Sequence, residues 1–109
     1  MSRIVGSYTN PSLNSTMKIA ASNDSNGEFN GTLSVGAIQI PFKGIWNTTT
    51  VAPTGILAFT GSTLTPSSMQ VAGAAQTDDV NVFSSISLGF TVVQKGAPAM
   101  NVCGRFTRS

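Results

Sequence analysis

Few side chains in this 109-residue chain can do covalent chemistry. There is no His and one Cys. A Ser or Cys nucleophile therefore has no imidazole base to activate it. Cys103 lies between Val102 and Gly104, in a stretch where apolar and polar residues alternate. Its nearest cation is Arg105, so it reads as a small buried hydrophobe and not as an activated thiol. As a lone Cys it forms no disulfide within the chain. The carboxylates are Asp24, Glu28, Asp78 and Asp79. Only Asp78 and Asp79 are adjacent, and neighbouring strand residues point to opposite faces, so the pair reads as a solvated turn. No spacing among the four matches a cation loop. The expectation is a protein that is not an enzyme, with no cofactor and no metal.

What the chain does have is neutral hydrogen-bonding capacity. It contains 14 Ser, 13 Thr and 8 Asn, about a third of all residues, while charged residues are only 9%. Lys18, Lys43, Lys95, Arg105 and Arg108 fall singly, and the formal charge is +2. That is too little and too scattered for a groove that tracks phosphates, so no nucleic-acid partner is expected. No apolar run approaches the ~20 residues of a helical membrane span, so no membrane partner is expected either. The first residues show no basic stretch followed by an apolar run. Four Asn-x-Ser/Thr sequons, at Asn14, Asn23, Asn30 and Asn47, point weakly to a secreted chain. Trp46 is the single Trp. It either fills a core, plugs one end of the fold, or offers a platform for a sugar ring or a subunit contact.

The elements that must position these groups are strands. Ile, Val, Thr and Phe recur in short runs broken by Gly, Pro and Asn, and no dozen-residue window keeps a 3.6-residue apolar period. Period-two alternation predicts strands at Ile4–Thr9, Met17–Ala21, Glu28–Val35, Ala37–Phe42, Lys43–Thr48, Gly55–Thr60, Met69–Ala75, Val82–Phe90 and Met100–Thr107. Ala37–Thr48 can also be one bent strand with Pro41 at a bulge or edge. Turn chemistry separates them: Ser22–Gly27 ending in Asn-Gly, Gly36, Pro53-Thr54-Gly55, Pro66-Ser67-Ser68 and Lys95-Gly96-Ala97-Pro98. With 40% apolar residues and no linker or repeat, one domain fills residues 1–109. A closed antiparallel barrel suits eight or nine short strands best, because closure removes sticky edges.

A more specific pattern lies at the two ends of the chain. Gly6-Ser7-Tyr8-Thr9-Asn10 is followed by Asn14-Ser15-Thr16-Met17-Lys18-Ile19, then by Gly27-Glu28-Phe29-Asn30-Gly31-Thr32, and far downstream by Arg105-Phe106-Thr107-Arg108. In order and near-spacing this resembles the avidin and streptavidin family, whose fold is an eight-stranded up-and-down antiparallel β-barrel, usually a dimer or tetramer. The resemblance implies a biotin-type site at one end of the barrel. Asn10 and Ser15 match the family's ureido-binding Asn and Ser, the latter with one residue inserted before it. The family's Tyr position is Leu33, and Ser34 or Val35 falls where the next hydroxyl belongs. Gly61 and Leu88 fall near the positions of two binding Trp residues, and the loop that carries a third is shortened to Gln94–Ala99. Gly104 replaces the last-strand Asn unless Asn101 serves. Missing aromatics remove contact area, and each unpaired polar group of a ligand costs about 1–3 kcal/mol.

The first expectation is thus an avidin-like binding protein that holds biotin or a biotin-like ligand weakly. Asn10 and Ser15 provide hydrogen bonds, with Ser34, Thr60, Ser62 and Ser67 as further candidate donors or acceptors. Two alternatives stand beside it: a carbohydrate-binding, lectin-like protein in which Trp46 stacks on a sugar, and a structural or interaction barrel filled by its own side chains. Within Val82–Val93, apolar groups fall on both faces, Val82 opposite Phe83, and Phe90 and Val92 opposite Thr91 and Val93. A homo-oligomer, tetramer or dimer, with this stretch in the interface is therefore expected.

Overall fold

The computed structural model describes residues 4–51, 53–64 and 67–109. Eight strands close into one up-and-down antiparallel barrel in sequence order. They are β1 (Gly6–Asn10), β2 (Ser15–Asn23), β3 (Glu28–Val35), β4 (Ile38–Thr48), β5 (Gly55–Thr63), β6 (Met69–Thr77), β7 (Ser85–Gln94) and β8 (Met100–Arg108). A single 3₁₀ turn, Pro11–Leu13, joins β1 to β2. β1 and β8 complete the ring through Tyr8–Arg108 and Thr9–Thr107. Every strand therefore has two neighbours, which removes the unpaired edges that an open sheet exposes.

The nine predicted strands become eight because Ala37–Phe42 and Lys43–Thr48 are one continuous strand, β4. Pro41 sits at no bulge but at a locally unpaired edge of β4. It faces solvent one residue outside the β4–β5 ladder, which starts at Phe42–Gly61, so its missing N–H deletes no rung on that side. The observed irregularity lies elsewhere, between Ile19 and Ala21 on β2, where the register against β3 shifts. Val82, Phe83 and Ser84, predicted as strand, form the loop before β7, which begins at Ser85. The turns follow the predicted glycines: Gly27, Gly36 and Gly96 all have positive φ. Gly36-Ala37 is a two-residue hairpin with glycine first, as the twist of the flanking strands favours. The predicted turn at Pro66-Ser67-Ser68 lies partly outside the described residues, Pro66 among those not described.

Alternation decides what fills the barrel. Rung by rung, Tyr8, Met17, Leu33 and Ile40 share one inward row. Phe29, Phe42, Trp46, Leu57, Phe59, Val71, Ile86, Leu88, Phe90, Val92 and Phe106 complete a continuous buried cluster. Phe42 packs against Phe29 and Phe59, with ring centroids 6.1 and 5.1 Å apart. The interior is thus occupied by side chains. Apolar-in and polar-out is the reverse of the pattern of a lipid-facing barrel.

The hairpins β1–β2, β3–β4, β5–β6 and β7–β8 gather at one end, called upper below. The hairpins β2–β3, β4–β5 and β6–β7 and both chain termini gather at the lower end.

Candidate functional site

At the upper end, Asn10 and Ser15 are cross-strand partners, and Ser15, Val35 and Ile38 continue the same rung. Beneath them lie Met17, Leu33 and Ile40, all buried. The upper mouth therefore combines an apolar floor with two polar groups on one side, the composition of a small-molecule site.

Local sequence explains how these two groups are held. Asn10-Pro11 is an N-cap followed by proline at the first turn position. The Asn10 Oδ1 accepts the Leu13 backbone N–H at 3.2 Å. The Asn10 Nδ2 donates across the barrel seam to the Arg105 carbonyl at 3.0 Å. The Ser15 hydroxyl donates to the Leu13 carbonyl at 2.8 Å. These bonds use part of the capacity of each group. An Asn amide has a second N–H and a second lone pair, and a hydroxyl that donates its proton still accepts. Asn10 can therefore donate to a ligand carbonyl, and Ser15 can accept from a ligand N–H.

Leu13 is the residue that sequence reasoning missed. It is half-buried against the core cluster. A Cβ at Gly104 would come within 2.8 Å of Leu13 Cδ1 and 2.9 Å of Asn10 Nδ2. Leu13 thus closes the β8 side of the mouth, in space that Gly104 leaves free. The signal was present in the Asn-Pro-x-Leu turn, which folds its leucine back toward the strands it connects.

The remaining predicted residues separate. Ser67 lies in the upper β5–β6 connection, half-buried. Ser34 follows the inward Leu33 and faces outward, as do Thr60 and Ser62 on β5, whose inward partners are Leu57 and Phe59. Trp46 is buried at the lower end, its ring edge-on to Phe83 with centroids 5.4 Å apart. It offers no exposed face for a sugar. Asn101 cannot substitute for Gly104, because it faces outward and accepts a hydrogen bond from Thr91. Cys103, expected to be buried, is exposed. Its strand alternates Val102 and Gly104 inward, which turns the thiol to the outer wall.

That outer wall carries a groove of about 940 Å³ across β3 to β7. Asn30, Lys43, Thr60, Ser62, Gln70 and Thr91 contribute its polar lining. Two of the predicted ligand residues therefore meet in this groove and not at the mouth.

Arg108 sits at the lower end, where β8 finishes. Arg108 lies over the Tyr8 ring, 5.8 Å from its centroid, and donates to the carbonyls of Val5 and Val82. Burial pushes the Tyr8 phenol up to about 12, against the opposing pull of the Arg108 charge. The phenol donates to the Ile4 carbonyl at 2.8 Å. Among the described residues no group of three or more His, Cys, Asp or Glu is placed to hold a metal ion.

By architecture the chain belongs to the closed, eight-stranded, up-and-down antiparallel β-barrels. No protein-family model matches it, and no curated protein matches it.

Proposed function

We propose that the chain is a non-enzymatic, avidin-like binding protein that takes a small ligand at the upper mouth. Biotin, or a molecule that joins a polar ureido-type ring to an apolar chain, is the ligand of choice. The supporting observation is the pairing of Asn10 and Ser15 on one rung above the Met17–Leu33–Ile40 row. Together they leave one donor and one acceptor for a ligand group that offers C=O beside N–H. The affinity is low for three reasons: Leu33 lacks a phenol, the single Trp is at the far end, and Leu13 must move. Calorimetric titration with biotin tests this reading. Weak saturable heat that disappears in Asn10→Ala supports it. No heat and no thermal shift at millimolar biotin would sink it and leave the fold untouched.

The filled interior favours a second reading, an interaction barrel that works through its outer wall. Ala58, Thr60, Ala72, Ala74 and Thr91 make that wall small and uncharged across β5, β6 and β7, and Val93 stands exposed on it. A homodimer or homotetramer joined through this face is compatible with ligand binding at the mouth. A neutral polyhydroxylated ligand in the outer groove is the carbohydrate form of this reading.

A further inference from the structure

The lower end of the barrel carries two features that work against its closed form. Trp46 is 8% exposed, yet its indole N–H is sealed from solvent and has no acceptor among the described residues. An amide-like donor buried without a partner is rare in folded proteins and is disfavoured there. Phe83, whose ring packs against the Trp46 ring, is fully buried with φ at +50. A bulky side chain in the left-handed region is a true backbone outlier. The two residues meet edge to face, with an interplanar angle of 85°.

A third group shares this end. The β2 shift turns Ser22 onto the same rung as Phe29, and two positions beyond Phe29 the Trp46 backbone N–H donates to the Gly27 carbonyl. The Ser22 hydroxyl is also buried without a partner. Two unpaired polar groups thus face the lower interior from β2 and β4, with Phe29 and Phe83 as apolar walls.

The segment that carries Phe83 is a loop outside the strand ladders. Val82 and Phe83 donate their N–H groups to the Asp79 carbonyl, and Asn81 donates to the Asp79 carboxylate. Val80 donates to Pro53, and Arg108 donates to the Val82 carbonyl. Arg108 also donates its backbone N–H to the Ser84 carbonyl, which extends the β7–β8 pairing. A swing of residues 81–83 between Asp79 and Ser84 therefore gives up the Asp79 turn bonds and the Arg108–Val82 bond but no strand rung.

We propose that the β6–β7 loop is a hinged plug, and that when Phe83 leaves, Trp46 and Ser22 line a second binding site for a small apolar ligand carrying one hydrogen-bond acceptor. Opening relieves the backbone of Phe83 and gives the indole N–H a partner. The site lies at the opposite end from the mouth that carries Asn10, so it stands or falls independently of biotin binding.

Trp46 is the only Trp in the chain, so its indole N–H gives one resolved resonance. Cyclohexanone, an apolar ring with a single carbonyl, is the probe, and cyclohexane, the same ring without an acceptor, is the control. In the wild-type protein the indole proton exchanges at least tenfold faster than the core amides of Leu57 and Phe59, after correction for intrinsic rates, because only the loop must open. Cyclohexanone moves the indole resonance downfield saturably and slows its exchange, and cyclohexane does not move it. Ser22→Ala weakens this response about fivefold, the worth of one neutral hydrogen bond. Exchange of the indole proton at the core rate overturns the plug. A resonance unmoved by cyclohexanone, or moved equally by cyclohexane, overturns the site. An unchanged response in Ser22→Ala removes Ser22 from it.

Discussion

Tyr8 is the only Tyr, so phenolate absorbance in alkaline solution reports on it alone. Its folded pKa is raised from 10.0 to about 12. A raised acid holds its proton more tightly in the folded state, so its stabilising effect is complete below pH 10 and is lost as pH rises toward 12. Stability measured by urea unfolding therefore falls across that window, and phenolate absorbance appears together with unfolding; a Tyr8 titration near 10 in the folded protein contradicts this placement. The same residue-level view shows what was legible beforehand. Asn10 and Ser15 were singled out through the resemblance at the chain's two ends, and they stand as cross-strand partners on one rung. Thr60 and Ser62 were misplaced, although the inward Leu57 and Phe59 already direct them to solvent. Trp46 fills the core and plugs one end, two of the roles its sequence left open, and which end it plugs turns on the strand count. In an up-and-down barrel, odd strands finish at one end and even strands at the other. Dividing β4 in two puts Trp46 near the finish of a fifth strand, beside Asn10; as part of the fourth strand it falls at the opposite end.

Elements owe their closeness to glycine in a few places, and these were not legible from periodicity. On β5, a Cβ at Gly61 would lie 2.0 Å from the Pro41 carbonyl oxygen and 2.9 Å from Phe42 Cα. Both are backbone atoms and cannot turn aside. On β7, a Cβ at Gly89 would meet only ordinary contacts, at 3.8 and 3.9 Å. Gly61→Ala is therefore expected to destabilise by about 3 kcal/mol or more, and Gly89→Ala to stay within about 0.5 kcal/mol. Chemical denaturation of the two variants checks the contrast, and equal effects contradict the close β4–β5 approach. Strand existence and order came directly from alternation and turn residues, and β3 matches its predicted bounds. β2, β5 and β6 run two or three residues further at an end than predicted, and β7 runs four, because neighbours in a closed barrel satisfy polar residues such as Thr63, Thr77 and Gln94 through their backbones. The Phe83 loop was read as strand because Val-Phe-Ser has strand composition; tertiary burial against Trp46 overrides that propensity.

At the scale of the whole molecule, the exposed Val82 and Val93 and the uncharged stretch of wall across β5, β6 and β7 predict self-association. Val93 is 55% exposed, so Val93→Arg leaves the fold intact while it dissociates the assembly. Sedimentation equilibrium at micromolar concentration checks this, and a wild-type mass of 11.2 kDa contradicts it. The central claim is that a small ligand is held at the upper mouth, and not on the wall or at the lower end. A site-resolved NMR titration with biotin tests it most directly. The account predicts saturable shifts at the Asn10 side-chain amide, Leu13 and Ser15, with Thr60, Ser62 and Gln70 of the outer groove unmoved. Shifts confined to the outer groove, or none at any residue at millimolar biotin, contradict it.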